Sequence, residues 1–216
     1  MSGRLLHNFN LIVQEGFSHE AFKLKMQTIT DFIVQPWAQH LHIYSTRIVN
    51  ALVEIGKRIF SHLRPTPLKA QYTFNWRSLS KIVFQMQLVE SSTLKSQEDV
   101  MKLFYHECLR TIGDRILMQH DRQQFLRDLE DVCRRSFSVA EESEVSGLDD
   151  RAAREYLRGK DKFLWRMQPA DDIFFSQFNA YLAGFYSEVQ DVSKIQKVIE
   201  AELERFNDQH DKVKID

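Results

Sequence analysis

His106-Glu107 starts like the helix of a zinc protease, and no other pair in the chain comes nearer to a catalytic signature. In H-E-x-x-H, two imidazoles one turn apart share a helix face and hold the metal, while the glutamate serves as general base. The residue four beyond His106 is Arg110, so the second ligand is missing and no metal is expected. His40 and His42 have no cysteine or third histidine near them and read as exposed polar side chains. Nucleotide chemistry needs G-x-x-x-x-G-K-[ST], the loop whose amides and lysine cradle phosphates. Gly56-Lys57 has Ala51 in place of the first glycine and Arg58 after the lysine; Gly159-Lys160 has Arg154 and Asp161 there. Both fail, so no catalytic residue and no cofactor is assigned to this chain. A cysteine nucleophile needs a basic partner placed to hold its thiolate. Cys108 lies two residues from His106, which points elsewhere on a helix, and Cys133 has no better neighbour, so both are expected as core fillers. Arg110, Asp114 and Arg115 fall, with His106, in the densest apolar segment, and these four form a structural set. The set reads either as a solvated face with i, i+4 pairs to acids such as Glu107, or, as we favour, as a partly buried arginine holding two helices in register.

The elements that position these residues are helical. Few breakers (7 Gly, 4 Pro) with much Leu, Phe, Lys, Glu and Gln favour helices over a strand-rich sandwich, and 43% apolar residues suffice for a real core. A net charge of −1 gives no electrostatic case for nucleic acid or an anionic membrane as partner. No apolar run approaches the ~20 residues of a membrane span, the N-terminus has no signal-peptide core, and two cysteines make no disulfide framework, so an intracellular, soluble protein is expected.

Ser18 is expected to cap a helix to about Val34, with Phe22, Met26, Ile29 and Ile33 on one face and Pro36 ending it. A second helix runs from Leu41 to about Leu63 on Tyr44, Ile48, Leu52, Ile55 and Ile59, and Pro65-Thr66-Pro67 stops it. Asn75 caps a third, with Leu79, Ile82, Val83, Met86 and Val89 as its stripe. Ser96-Gln97-Glu98-Asp99 resembles a capping box opening one helix through Val100, Phe104, Cys108, Ile112 and Ile116. Asp121 begins another with Phe125, Leu129, Cys133 and Phe137. Residues 138–150 carry five acids and no base, a solvated linker; 151–160 make a short turn; 163–190 are rich in Phe and Tyr, expected as a packed interface. Phe9 to Val13 is a candidate strand, and Ser193 caps a terminal helix.

The order of several motifs carries a resemblance. R-L-L-H-N-F-N from Arg4 is similar to the R-x-L-R-H-F-N that closes the large subdomain of AAA+ modules in dynein heavy chains. Leu63 to Pro67 followed by YTFNWRSLS resembles the family's leucine-proline-threonine-proline turn before H-Y-T-F-N-L-R-D-L-S. HECLRTIGDRI matches H-E-x-x-R-x-x-x-D-R-L, and Tyr186 through Asn207 looks like the run into the following module. His7, Asn8, Trp76, Ser78 and Phe84-Gln85 depart from the family pattern.

The resemblance implies a mainly α chain: residues 1–40 the end of an AAA+ large subdomain, 41–137 the helical lid, 138–162 an acidic linker and turn, and 163–216 a connector. It is most similar to the third module's lid and its connection to the fourth, in a chain of axonemal type. It implies ATP or ADP with Mg in the complete module, neighbouring AAA+ modules as partners, microtubule contact only through the intact motor, and a place in the cytoskeleton of a cilium or flagellum. Arg77 matches the sensor-2-like arginine that reaches nucleotide phosphates, and Arg4 the region of an arginine finger. The implied function is non-catalytic coupling of nucleotide state to ring movement in a microtubule motor. The alternative is a stand-alone helical interaction protein, or a dynein-derived remnant without motor activity.

Overall fold

Three short polar side chains start three of the helices. Ser18 Oγ accepts from the Ala21 amide at 3.1 Å, and Asn75 Oδ1 from the Ser78 amide at 3.1 Å. Ser96 and Asp99 form a reciprocal box: Ser96 Oγ accepts from the Asp99 amide at 3.3 Å, and Asp99 Oδ2 accepts from the Ser96 amide at 2.8 Å. Each satisfies amides that the first turn of a helix leaves without a partner.

The structure, a computed structural model, describes residues 10, 12, 16, 18–137, 173–177, 186–189 and 192–209. Helices α1 (His19–Val34), α2 (Tyr44–His62), α3 (Trp76–Met86), α4 (Gln97–Thr111) and α5 (Gln119–Phe137) form the bundle. α1 packs on α2, α2 on α5, and α3 on α4. Strands β1 (Phe175–Ser176) and β2 (Ser187–Glu188) pair antiparallel, Phe175 opposite Glu188 and Ser176 opposite Ser187. Helix α6 (Val192–Gln209) follows.

The core lies where the apolar stripes meet. Ile48, Leu52 and Ile55 of α2, Ile82 and Met86 of α3, Leu103, Phe104 and Cys108 of α4, and Leu129 and Val132 of α5 are all buried. Each large apolar side chain so buried contributes about 1.5–3 kcal/mol. Cys108 and Cys133 are buried free thiols in that core, where burial raises both above the ordinary cysteine range. The mainly helical class expected from the sequence is the observed one.

Several boundaries differ from expectation. α2 begins at Tyr44, because Leu41 closes a separate 3-10 turn, Gln39–Leu41. The helix expected to run unbroken from Ser96 to Ile116 stops at Thr111, and Gly113–Arg115 winds as a 3-10 turn. Ile112 and Ile116 are both buried all the same, so a regular four-residue spacing does not distinguish a continuous helix from a helix plus a tight turn. Gly113 has a packing reason: a Cβ there would stand 3.3 Å from both Leu109 Cδ2 and Phe125 Cε1. α5 starts at Gln119, two residues ahead of Asp121, and Ser193 lies inside α6. Val89 falls beyond α3, yet it is buried and bridges in parallel to Tyr186. Apart from Asn10 and Ile12, the candidate strand Phe9–Val13 lies outside the described residues, as do Arg4, the acidic stretch 138–150 and the turn 151–160. No helix among the described residues is long and apolar enough to cross a membrane.

Candidate functional site

Tyr72 anchors the segment that leads into α3. Its ring is buried, its hydroxyl donates to Asp121 Oδ2 at 3.0 Å and accepts from the Met118 amide at 3.3 Å. Lys69 also bonds Asp121, and this bond, with that of Tyr72, holds the Asp121 carboxyl below the usual carboxylate range. Burial pushes the Tyr72 phenol upward. The loop after the proline turn is thus pinned to the start of α5.

From Asn75 the chain turns into α3, and Trp76 is wedged at once between two other helices. Its ring centroid lies 4.4 Å from Phe22, 4.9 Å from His19 and 4.8 Å from Phe60, the last two edge-on. Such aromatic pairs add about 0.5–1.5 kcal/mol beyond their buried area. Below it, Gly56 of α2 admits the side chain of Leu79: a Cβ at Gly56 would lie 2.5 Å from Leu79 Cδ1. Trp76 therefore fixes the first turn of α3 against α1 and α2.

Arg77 is the next residue, exposed, in the first turn of that helix. No carboxylate among the described residues pairs with it. A cation at a helix N-terminus faces the positive end of the backbone dipole, which costs a few tenths of a kcal/mol to about 1 kcal/mol unless an anion is present.

Arg115 braces the same loop from the other side. Its Nη2 donates to the Gln71 carbonyl at 3.1 Å and to Thr73 Oγ1 at 3.1 Å, and its guanidinium carbon lies 4.8 Å over the Phe74 ring. Arg110 pairs instead with Asp114, one turn on, at 3.1 Å, and its Nε is buried without a hydrogen-bond partner. Neither arginine bridges two helices. That role falls to Arg58 of α2, which binds Asp131 at 2.8 Å and Asp128 at 3.4 Å on α5, as well as Glu54 at 3.4 Å. Nothing in the sequence signalled this role for Arg58, since its partners on α5 lie 70 and 73 positions away.

His106 and Glu107 are both buried, and both meet the ribbon of β1 and β2. The Ile173 carbonyl accepts from His106 Nδ1 at 3.0 Å, which fixes the proton on that nitrogen, and burial lowers the imidazole below its ordinary range. Phe174 meets the imidazole edge-on at 5.5 Å, and Phe175 lies 5.4 Å away. The Tyr186 hydroxyl donates to Glu107 Oε1, yet burial still raises that carboxyl to about 7. Lys102 adds an ion pair to Glu188 at 3.1 Å. His106 and Glu107 therefore seat the ribbon on α4, and among the described residues no group of His, Cys, Asp and Glu could hold a metal.

Two comparisons with known proteins agree with this architecture. Residues 48–146 match the AAA+ lid domain family. The chain is 26% identical over 212 residues to rat dynein axonemal heavy chain 12, which covers 96% of this chain and 7% of that protein. Human dynein axonemal heavy chain 6 is 26% identical over 208 residues, 94% of this chain and 4% of that protein. Human dynein axonemal heavy chain 1 is 36% identical over 90 residues, 42% of this chain and 2% of that protein. The chain thus spans about 7% of the length of the first curated relatives it matches. With its five-helix bundle, residues 48–146 matching an AAA+ lid and 96% of its length aligning with one region of axonemal dynein heavy chains, this chain is similar to the lid region of that motor family.

Proposed function

We propose that this chain serves as the lid of an AAA+ module in an axonemal dynein heavy chain, coupling the nucleotide state of the module to movement of its ring neighbours. Arg77 carries the reading: a permanently charged, exposed guanidinium without a carboxylate partner among the described residues, on a helix turn fixed from two sides. A guanidinium so placed can fork onto phosphate oxygens, and a rigid lid converts that contact into rigid-body motion. The module is read as the third, with residues 163–216 leading toward the fourth, and the ATP-binding groups and Mg as supplied by the part of the motor outside this chain. The chain itself hydrolyses nothing, and its microtubule contact is through the whole motor in the axoneme.

The test is Arg77→Ala in a heavy chain that carries this lid behind its ATP-binding subdomain. Losing one charge-assisted phosphate contact is expected to weaken binding of a fluorescent ADP analogue about 10-fold or more. Unchanged affinity overturns the nucleotide role of Arg77. ATP turnover by the present chain alone would overturn its non-catalytic role.

A further inference from the structure

Arg77 projects from a turn whose neighbours on either side are held. Trp76 is wedged among His19, Phe22 and Phe60, and the Ser78 amide is bound by Asn75 Oδ1 at 3.1 Å. The run from Gln71 to Phe74 leads into that cap, and both described hydrogen bonds of the Arg115 side chain fall on this run. We propose that Arg115 is a positioning residue for Arg77, fixing through Gln71, Thr73 and Phe74 the direction in which the Arg77 guanidinium leaves α3. This rests on the nucleotide role of Arg77 proposed above.

Three features of the guanidinium are used together. One nitrogen donates both to a carbonyl and to a hydroxyl, and the flat face lies on Phe74. A lysine ammonium carries donors for the carbonyl and the hydroxyl but has no planar face to stack on Phe74, so Arg115→Lys is not conservative here. The other end of the brace is equally defined. Arg115 closes the 3-10 turn Gly113–Arg115, which is flanked by buried Ile112 and Ile116. Gly113 lets that turn lie against Leu109 and Phe125. Asp114 is engaged by Arg110, so the Arg115 charge is not drawn onto its own neighbour. The turn that interrupts the expected long helix is therefore what directs Arg115 at the α3 loop. With the backbone around Arg77 held beforehand, less freedom is lost when its side chain meets an anion, and affinity rises without any new contact.

Two measurements test this. In the present chain, amide hydrogen exchange by NMR is followed at Ser78 and Leu79 in wild type, Arg115→Lys and Arg115→Ala, with α2 and α5 amides as the fold control. Both variants are expected to exchange about 10-fold faster at these two amides, with the control amides unchanged; Arg115→Lys keeps the charge and serves if Arg115→Ala does not fold. In the longer heavy chain, affinity for the fluorescent ADP analogue is measured for Arg115→Lys, Arg77→Ala and the double variant. Arg115→Lys is expected to weaken binding about 3- to 10-fold, and to add nothing once Arg77 is alanine. Unaltered exchange at Ser78 and Leu79, or additive losses in the double variant, overturns the positioning role alone. An Arg77→Ala chain that binds the analogue as wild type does removes the nucleotide role and this one with it.

Discussion

Glu107 shows how far burial can move a single group. Its carboxyl rises from the ordinary 4.5 to about 7 because α4 and the ribbon of β1 and β2 remove it from water. The Tyr186 hydroxyl and the Arg110 charge act the other way and only partly offset that cost. The folded state therefore holds the proton more tightly than the unfolded chain. The stability this contributes is fully present below about pH 4.5 and is lost as pH rises through about 7. Glu107→Gln keeps a neutral group in place and is expected to remove this dependence, up to about 3 kcal/mol of difference from wild type across that window. Urea unfolding of both proteins at pH 4.5, 6 and 8 checks it, and parallel curves count against a buried acid. His106, neutral when buried, acts in the opposite sense, losing its contribution as pH falls below about 6.5. The comparison of the two proteins cancels that part, since both retain the histidine. Neither group was legible as a seat for the ribbon, because H-E next to Arg110 signals only an incomplete metal motif.

At the scale of elements, the approach of α3 to α2 depends on one missing side chain. Gly56 sits mid-helix, where glycine costs about 0.5–1 kcal/mol relative to alanine, so its presence needs a packing reason. The 2.5 Å to which a Cβ would approach Leu79 Cδ1 is that reason. Leu79 is buried and has little room to turn away. Gly56→Ala is expected to lose about 1–2 kcal/mol net, overpacking outweighing the gain in helix propensity, and thermal unfolding measures it. A stabilised variant would show that Leu79 relaxes freely. The starts of α1, α3 and α4 were readable because a cap reaches only three residues, as at Ser18, Asn75 and Ser96. The end of α4 was not, since what breaks it is the fit of Gly113 against Phe125 of another helix.

The molecule as a whole is closed by contacts between distant parts of the chain. Arg58 joins α2 to α5, and its hold on Asp131 keeps that carboxyl below the usual range. Arg58→Ala leaves Glu54 of α2 and Asp128 and Asp131 of α5 without their shared cation at the helix seam and is expected to cost about 1.5–3 kcal/mol at neutral pH. Because Asp131 is depressed, this advantage of the wild type is present above about pH 3.8 and disappears as pH falls through the lower folded value. Denaturation at pH 7 and pH 3 distinguishes the pair from simple packing by the side-chain stem, which would persist in acid.

By itself the sequence determined the helical class, the caps at Ser18, Asn75 and Ser96, most of the buried stripes of α1 to α5 and the resemblance to the dynein lid. All of these are local patterns, repeated every three or four residues or set by a motif's own order. Tertiary structure alone decided which arginine ties two helices, that Glu107 is enclosed, and that Arg115 reaches the loop before Arg77. Those outcomes depend on partners tens of residues away, such as Arg115 with Gln71 and Arg58 with Asp131. Charge type states what a side chain can bind, and only packing brings the partner within reach.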